Sequence, residues 1–231
     1  MPICHPASLI LLTLNELEGS QALYSSIPWD RVAEVVVVDG GSRDGTREFW
    51  ETRGYRVVGQ KRPGRGEAFR EGMRQTTYPL MCFFSPDGNE DPADIPRLLS
   101  CLEEGFDLAI ASRFRAGSRN EEDVHWFRPR AWVNRLFTWV ANRLFNRGPR
   151  VTDCINGFRA LSREAFERLA LTEDRFPIEY QMSIRAMKQG MRIIEIPTAE
   201  GDRVGGESKA KSLPVGLGHV KVLMQEIMRP A

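Results

Sequence analysis

A chain of 231 residues, 42% hydrophobic and 27% charged, can bury one substantial core without staples, which excludes a mainly disordered or fibrous protein. Its 32 Lys and Arg against 31 Asp and Glu leave a formal net charge of +1, so no global field attracts nucleic acid and any anionic partner must be held by local Arg and Lys clusters. Cys4, Cys82, Cys101 and Cys154 lie far apart with no CxxC pair, which argues against a zinc site or disulfide scaffold and for reduced thiols in a cytoplasmic setting.

The apolar run at residues 7–14 lacks a basic leader and is followed by Asn15 and Glu16, so it reads as a buried strand at 9–13 rather than a signal peptide. A helical pattern from Glu16, a strand at 34–38, a helix from Thr46 and a strand at 55–58 continue in βαβα order. A helix over 66–74, a strand at 80–84, a helix over 95–103 and a strand at 107–111 extend it. The pattern predicts an α/β fold, with a mostly parallel sheet covered on both faces.

Beyond this, an Arg-rich amphipathic helix over 128–145 carries Trp132, Leu136, Trp139, Val140 and Leu144 at helical spacing. It reads either as a core-packing helix with solvated arginines or as a membrane-surface element with Trp at headgroup level. A strand at 158–161, helices around Ala165 and over 178–189, and a strand at 193–196 complete the sheet. A flexible Gly/Lys loop over 201–212 follows, then a stretch at 217–228 that is apolar on one face. No segment approaches the roughly 18–20 apolar residues needed to cross a bilayer, so membrane contact is expected to be peripheral. No repeat or linker divides residues 1–231, which read as a single domain.

The carboxyl ends of parallel strands are where open α/β sheets bind ligands, and each strand here ends in polar residues. The first gives Thr13 and Asn15, the second Asp39 to Thr46, the fourth Ser85 to Asp91, the fifth Ser112 and Arg113. The segment Asp39-Gly-Gly-Ser-Arg-Asp44-Gly-Thr46 is either a tight turn that caps a helix or a set of acceptors for a nucleotide's base or ribose. The turn Gly64-Arg65-Gly66 opens a helix and can point N–H groups at an anion. In Ser85-Pro-Asp87-Gly-Asn89-Glu90-Asp91, Asp87 with Asn89 suits Mg2+ or Mn2+ on a diphosphate, against the alternative of a solvated acidic loop.

Together these residues resemble the inverting family 2 glycosyltransferases of GT-A fold, and among them the polyprenyl-phosphate (dolichyl-phosphate) mannose synthases. The landmarks are Leu12-Thr-Leu-Asn15-Glu16, Val38-Asp39-Gly-Gly-Ser-Arg-Asp44-Gly-Thr46, Gly64-Arg-Gly66-Glu-Ala68, Ser85-Pro-Asp87, Ala111-Ser112-Arg113-Phe114, Asp153-Cys-Ile-Asn-Gly157-Phe158-Arg159 and Arg203-Val-Gly-Gly-Glu-Ser208-Lys209. The resemblance implies a three-layer GT-A sandwich, with a nucleotide-sugar-binding half (1–115) and an acceptor-side half with the C-terminal helix (116–231).

By the same resemblance Thr13, Asn15, Glu16, Asp39, Gly41, Gly64 and Gly66 hold the nucleotide, and Asp87 with Asn89 holds the metal on the donor diphosphate. Arg113 reaches into the catalytic site after the fifth strand, and Asp153 lies near the sugar or acceptor. Arg203, Ser208 and Lys209 close on phosphates, and Glu179 matches an acidic position on a helix facing the site. Ser85 stands where the family carries the first Asp of its Asp-x-Asp, which removes a negative charge and weakens the expected use of Mg2+ or Mn2+. The implied reaction moves a hexose, mannose as first choice, from GDP-mannose or a UDP-hexose to a polyprenyl phosphate at the cytoplasmic membrane face. Rivals are a UDP-sugar enzyme with a soluble hydroxyl acceptor, a sugar nucleotidyltransferase, and a non-catalytic nucleotide-sugar-binding relic kept open by Ser85.

Overall fold

The computed structural model describes residues 6–120, 123, 128–204 and 212–229, with no side-chain description for 212 and 213. Seven strands form one sheet in the order β3-β2-β1-β4-β6-β5-β7. They are β1 (Ala7–Thr13), β2 (Glu34–Asp39), β3 (Arg56–Gly59), β4 (Leu80–Phe84), β5 (Leu108–Ser112), β6 (Arg159–Ser162) and β7 (Ile193–Pro197). β6 runs antiparallel to both β4 and β5, and the other pairings are parallel. Register sets Thr13 beside Asp39 and Leu11 beside Phe84, so the loops after β1, β2 and β4 leave the sheet at one edge.

β1 is buried along its whole length because alternate side chains feed two cores. Ile10 and Leu12 join Val36, Val38, Met81 and Phe83 on one face, and Leu9 and Leu11 join Val37, Cys82 and Phe84 on the other. The second face is covered by α1 (Leu17–Leu23), α2 (Thr46–Glu51) and α4 (Asp94–Glu103). The first is covered by α3 (Arg65–Gln75), α5 (Pro129–Phe145), α6 (Arg163–Leu169), α7 (Ile178–Lys188) and α8 (Ser212–Met228). The result is the three-layer α/β/α sandwich expected from the strand–helix alternation. Cys82, Cys101 and Cys154 are buried free thiols, and Cys4 lies outside the described residues.

The turn that starts α3 corrects one expectation. The Gly66 N–H donates to the Asp174 carbonyl at 2.9 Å, and the Glu67 N–H points to the same oxygen at 3.4 Å, so the Gly66 amide docks the segment before α7 instead of facing an anion. A Cβ at Gly66 would lie 2.1 Å from the Glu173 carbonyl oxygen and 2.8 Å from the Asp174 carbonyl carbon, both backbone atoms that cannot swing aside. Gly66→Ala is therefore expected to cost about 3 kcal/mol through overpacking, read as a lower urea midpoint with an unchanged slope. A midpoint equal to wild type would contradict this packing.

Candidate active site

The β1 and β2 ends build a tightly bonded corner. The Asp39 carboxylate accepts from the Gly41 N–H (3.0 Å), the Ser42 N–H (3.1 Å) and the Ser42 hydroxyl (2.5 Å), so it folds its own turn. Asn15, at φ 52, accepts from the Arg43 N–H at 2.8 Å, while its own N–H donates to the Ser42 Oγ at 2.9 Å. Thr13 is buried, with its hydroxyl 3.5 Å from Asp39. Asp44 accepts from the N–H groups of Leu17 and Thr46 at 3.0 Å each, which ties the starts of α1 and α2 together. Burial pushes its carboxyl up, but these bonds and the Thr46 hydroxyl outweigh burial and hold it below the ordinary range.

Arg203 links this corner to the loop after β4. Its Nη1 donates to both oxygens of Glu16 at 3.0 Å, and its Nη2 donates to Asp87 at 2.6 Å. The segment carrying Arg203 is laid onto the Asp87 loop by short backbone bonds. The Val204 N–H donates to the Asp87 carbonyl at 2.9 Å, and the Gly201 N–H donates to the Asn89 carbonyl at 3.0 Å. Gly88, at φ +98, permits this approach, since a Cβ there would lie 2.6 Å from the Val204 nitrogen. Residues Glu16, Asp87 and Arg203, up to 187 positions apart, thus meet at one point.

Beside that point lies a cleft of about 500 Å³. One wall carries Arg65, whose guanidinium pairs with Glu179 and reaches the Ser85 hydroxyl at 3.3 Å. The cleft is also lined by Arg113, whose side chain grips Asp153 through Nε at 2.7 Å and Nη2 at 3.0 Å. Asp153 is fully buried and lies behind Arg113, outside the cleft lining. Burial raises its carboxyl, but the Arg113 guanidinium and the N–H groups of Arg113 and Ile155 outweigh burial and hold it low. Asn156 and Gly157 also line the cleft, as do residues at the starts of α5 and α8.

Asp87, Asn89, Ser85 and Glu90 offer oxygen donors only, suited to a hard divalent cation. A guanidinium, that of Arg203, already occupies a cation position against Asp87. Among the described residues no group of three or more His, Cys, Asp or Glu gathers as a metal cage. The set therefore fits an Mg2+- or Mn2+-type ion whose shell is completed by substrate phosphates, and it does not fit a fully protein-ligated metal.

Several supports were not singled out from the sequence. Glu90 lines the cleft and accepts from the Ser85 N–H at 2.7 Å; burial, then the neighbouring Asp87, pushes its carboxyl well up toward the neutral acid. Arg159, fully buried under the floor, donates to the Asn156 and Glu179 carbonyls, and burial pushes it down to about 10. Glu195 on β7 accepts from the N–H groups of Thr152 and Asp153 and so fixes the loop that carries Asp153. His219 lines the cleft with its Nε2 lacking a hydrogen-bond partner among the described residues, and burial, opposed by a backbone bond at Val215, takes its imidazole down to about 4.

The structure thus brings together Glu16, Asp87, Asn89, Arg113 and Arg203 around the cleft, with Thr13, Asn15, Asp39 and Gly41 as a neighbouring corner of the same sheet edge. Gly64 and Gly66 serve packing, and Ser208 and Lys209 lie outside the described residues.

The sequence profile described as "Glycosyl transferase family 2" matches residues 8–170. The glycosyltransferase AglJ of Haloferax volcanii is 34% identical over 89% of this chain, and the chain spans 66% of that relative's length. The undecaprenyl-phosphate mannosyltransferase of Micrococcus luteus is 29% identical, with 92% of this chain and 90% of that protein covered. The glucosyl-3-phosphoglycerate synthase of Mycobacterium tuberculosis, crystallised with Mn2+, UDP and phosphoglyceric acid, superposes with a TM-score of 0.79 over 99% of this chain and 80% of that one at 22% identity. This likeness establishes the shared fold.

Proposed function

Because the chain belongs to glycosyl transferase family 2, and is a glycosyltransferase similar to the dolichyl-phosphate mannose synthases, we propose that it moves a hexose, mannose as first choice, from a nucleoside diphosphate sugar to a polyprenyl phosphate. One observation supports the acceptor class: among the described residues, three of the four carboxylates lining the cleft face arginines instead of standing as a base. Asp87 is held by Arg203, Glu179 by Arg65, and Glu200 has the Arg113 guanidinium at 3.6 Å. Burial and the neighbouring Asp87 push the Glu90 carboxyl up, and burial takes the His219 imidazole down to about 4, too weakly basic to take a proton at neutral pH. A hydroxyl acceptor needs such a base. A phosphate monoester is already an oxyanion and needs cations and positioning instead.

In this reading an acceptor phosphate oxygen attacks the anomeric carbon from the face opposite the diphosphate. The bond from that carbon to the diphosphate oxygen breaks, the nucleoside diphosphate leaves with the electron pair, and configuration inverts. Charge growing on the leaving group is met by Arg203 and Arg65, donors held in place by Glu16, Asp87 and Glu179. Asp87, with Asn89 behind it, would hold a divalent cation, which supplies Lewis-acid neutralisation of the diphosphate when bound. Arg113, braced by Asp153, and Arg130 at the start of α5 line the side from which the acceptor phosphate enters.

The test incubates the protein with radiolabelled GDP-mannose or UDP-glucose, Mn2+ or Mg2+, and a polyprenyl phosphate. Label is expected in the organic extract as a polyprenyl phosphate sugar. Label confined to a water-soluble acceptor, or no transfer to any acceptor despite donor binding, would refute the lipid reading.

A further inference from the structure

Both oxygens of the Asp87 carboxylate are engaged by the protein's own donors. Oδ1 accepts from the Asn89 N–H at 3.1 Å, and Oδ2 accepts from Arg203 Nη2 at 2.6 Å. The first donor is a backbone amide held in the loop after β4. The second ends a long side chain, 23% exposed, on the segment between β7 and α8. A divalent cation that takes Asp87 as a ligand therefore meets a guanidinium at the same carboxylate, and two cations in contact with one carboxylate oxygen repel. Of the two donors, the guanidinium is the one that can move.

The segment that carries Arg203 is anchored on one side and clipped on the other. Upstream, the Glu200 N–H donates to the Arg119 carbonyl at 2.9 Å, and Ala199 pairs with Arg119. Beyond Glu200 the chain lies on the Asp87 loop through the Gly201 and Val204 N–H bonds, and Asn89 Nδ2 donates back to the Gly201 carbonyl at 2.9 Å. The two residues suited to ligate the cation, Asp87 and Asn89, are thus the two that clip this segment down. Arg203 has a second hold on the nucleotide side, since its Nη1 donates to both oxygens of Glu16 at 3.0 Å. Loss of the Asp87 bond leaves the guanidinium on Glu16, with Nη2 released toward another anion.

We propose that Arg203 is a tethered competitor of the divalent cation at Asp87, and that their exchange couples cation binding to nucleoside diphosphate binding. A cation arriving alone must displace the guanidinium without giving it a new acceptor, which weakens its binding. A cation arriving with a nucleoside diphosphate brings phosphate oxygens to which Nη2 can turn while Nη1 stays on Glu16. Each ligand then favours the other, and the coupling is reciprocal. The inference deepens the donor side of the proposed function and rests on its assignment of a divalent cation to Asp87.

Mn2+ binding to the full chain is read from the electron paramagnetic resonance of free Mn2+, and GDP and UDP binding from calorimetry at saturating Mn2+. Arg203→Gln is expected to bind Mn2+ alone about tenfold more tightly than wild type, and GDP or UDP about tenfold more weakly, at an unchanged melting temperature. A guanidinium that merely braced the loop would lower both affinities on removal. Equal or weaker Mn2+ binding by Arg203→Gln, or undiminished nucleotide binding, would overturn the proposal. Hydrogen exchange on wild type needs no variant. Mn2+ alone should speed exchange at the Gly201 and Val204 amides, and GDP or UDP should slow it again, whereas exchange that saturating Mn2+ leaves unchanged contradicts the release. Asp87→Asn should abolish Mn2+ binding with or without Arg203. Mn2+ retained by that variant, or no Mn2+ bound by wild type and Arg203→Gln alike, sinks the cation reading of Asp87 and this proposal with it. Mn2+ bound equally by wild type and Arg203→Gln sinks the competition alone.

Discussion

Asp87→Asn is expected to lower kcat/KM for sugar transfer by about 10²–10³-fold with little change in stability. The amide keeps the carboxylate's shape but has a single acceptor oxygen, so it can still accept from the Asn89 N–H, now at 3.1 Å, and gives up the bond from Arg203, which keeps Glu16. What disappears is the charge. Ser85 already leaves the loop one carboxylate short, and burial with the neighbouring Asp87 pushes the Glu90 carboxyl up. Asp87 is the carboxylate of this loop that meets Arg203 among the described residues, and its loss removes the anchor for a cation on the diphosphate. Nucleoside diphosphate release, measured with saturating and with limiting Mn2+, is the readout. A kcat/KM within about threefold of wild type, at an unchanged melting temperature, would remove Asp87 from the chemistry.

The strands could be read from the sequence because most of them are buried on both faces, which writes itself as runs such as Val35 to Val38, and because each stops at a polar residue. The direction of β6 could not be read. Arg159–Ser162 carries the same apolar signal whether it runs with or against β4 and β5. The individual site residues were legible as types at strand ends, but their pairing was not. Arg65 and Glu179 are 114 positions apart, Arg203 and Asp87 are 116 apart, and no local pattern links them. The same holds for Gly66. A glycine in the first turn of a helix signals a close approach, yet only the fold shows that the group approaching the Gly66 N–H is the Asp174 carbonyl. Arg159 was legible as the end of the Asp153 to Arg159 landmark but its bracing role was not, and Glu195 read as an ordinary strand residue, because a buried charge that braces a loop from beneath has no sequence signature apart from its partners.

Asp153→Ala is expected to cost about 3–5 kcal/mol of stability and to cripple turnover. The carboxylate is fully buried, takes two side-chain bonds and one backbone bond from Arg113, and also accepts from the N–H groups of Ile155 and Asn156 at 3.1 and 3.0 Å. Removing it leaves a partly buried guanidinium and several N–H groups without their acceptor, and frees Arg113 to swing out of the cleft wall. The pH dependence has a definite sign. Burial pushes the Asp153 carboxyl up, but Arg113 and the N–H donors outweigh it, so the folded-state value lies below the ordinary 3.8. The folded state therefore favours the ionised form. Its contribution is complete above the unfolded value and is withdrawn as pH falls below 3.8 through the lower folded value. Urea unfolding of wild type and Asp153→Asn should accordingly show a stability gap that is constant near neutral pH and closes in acid. A gap of equal size at neutral pH and at the acid limit of folding would show that Asp153 contributes through its shape and hydrogen bonds alone, and not through its charge against Arg113.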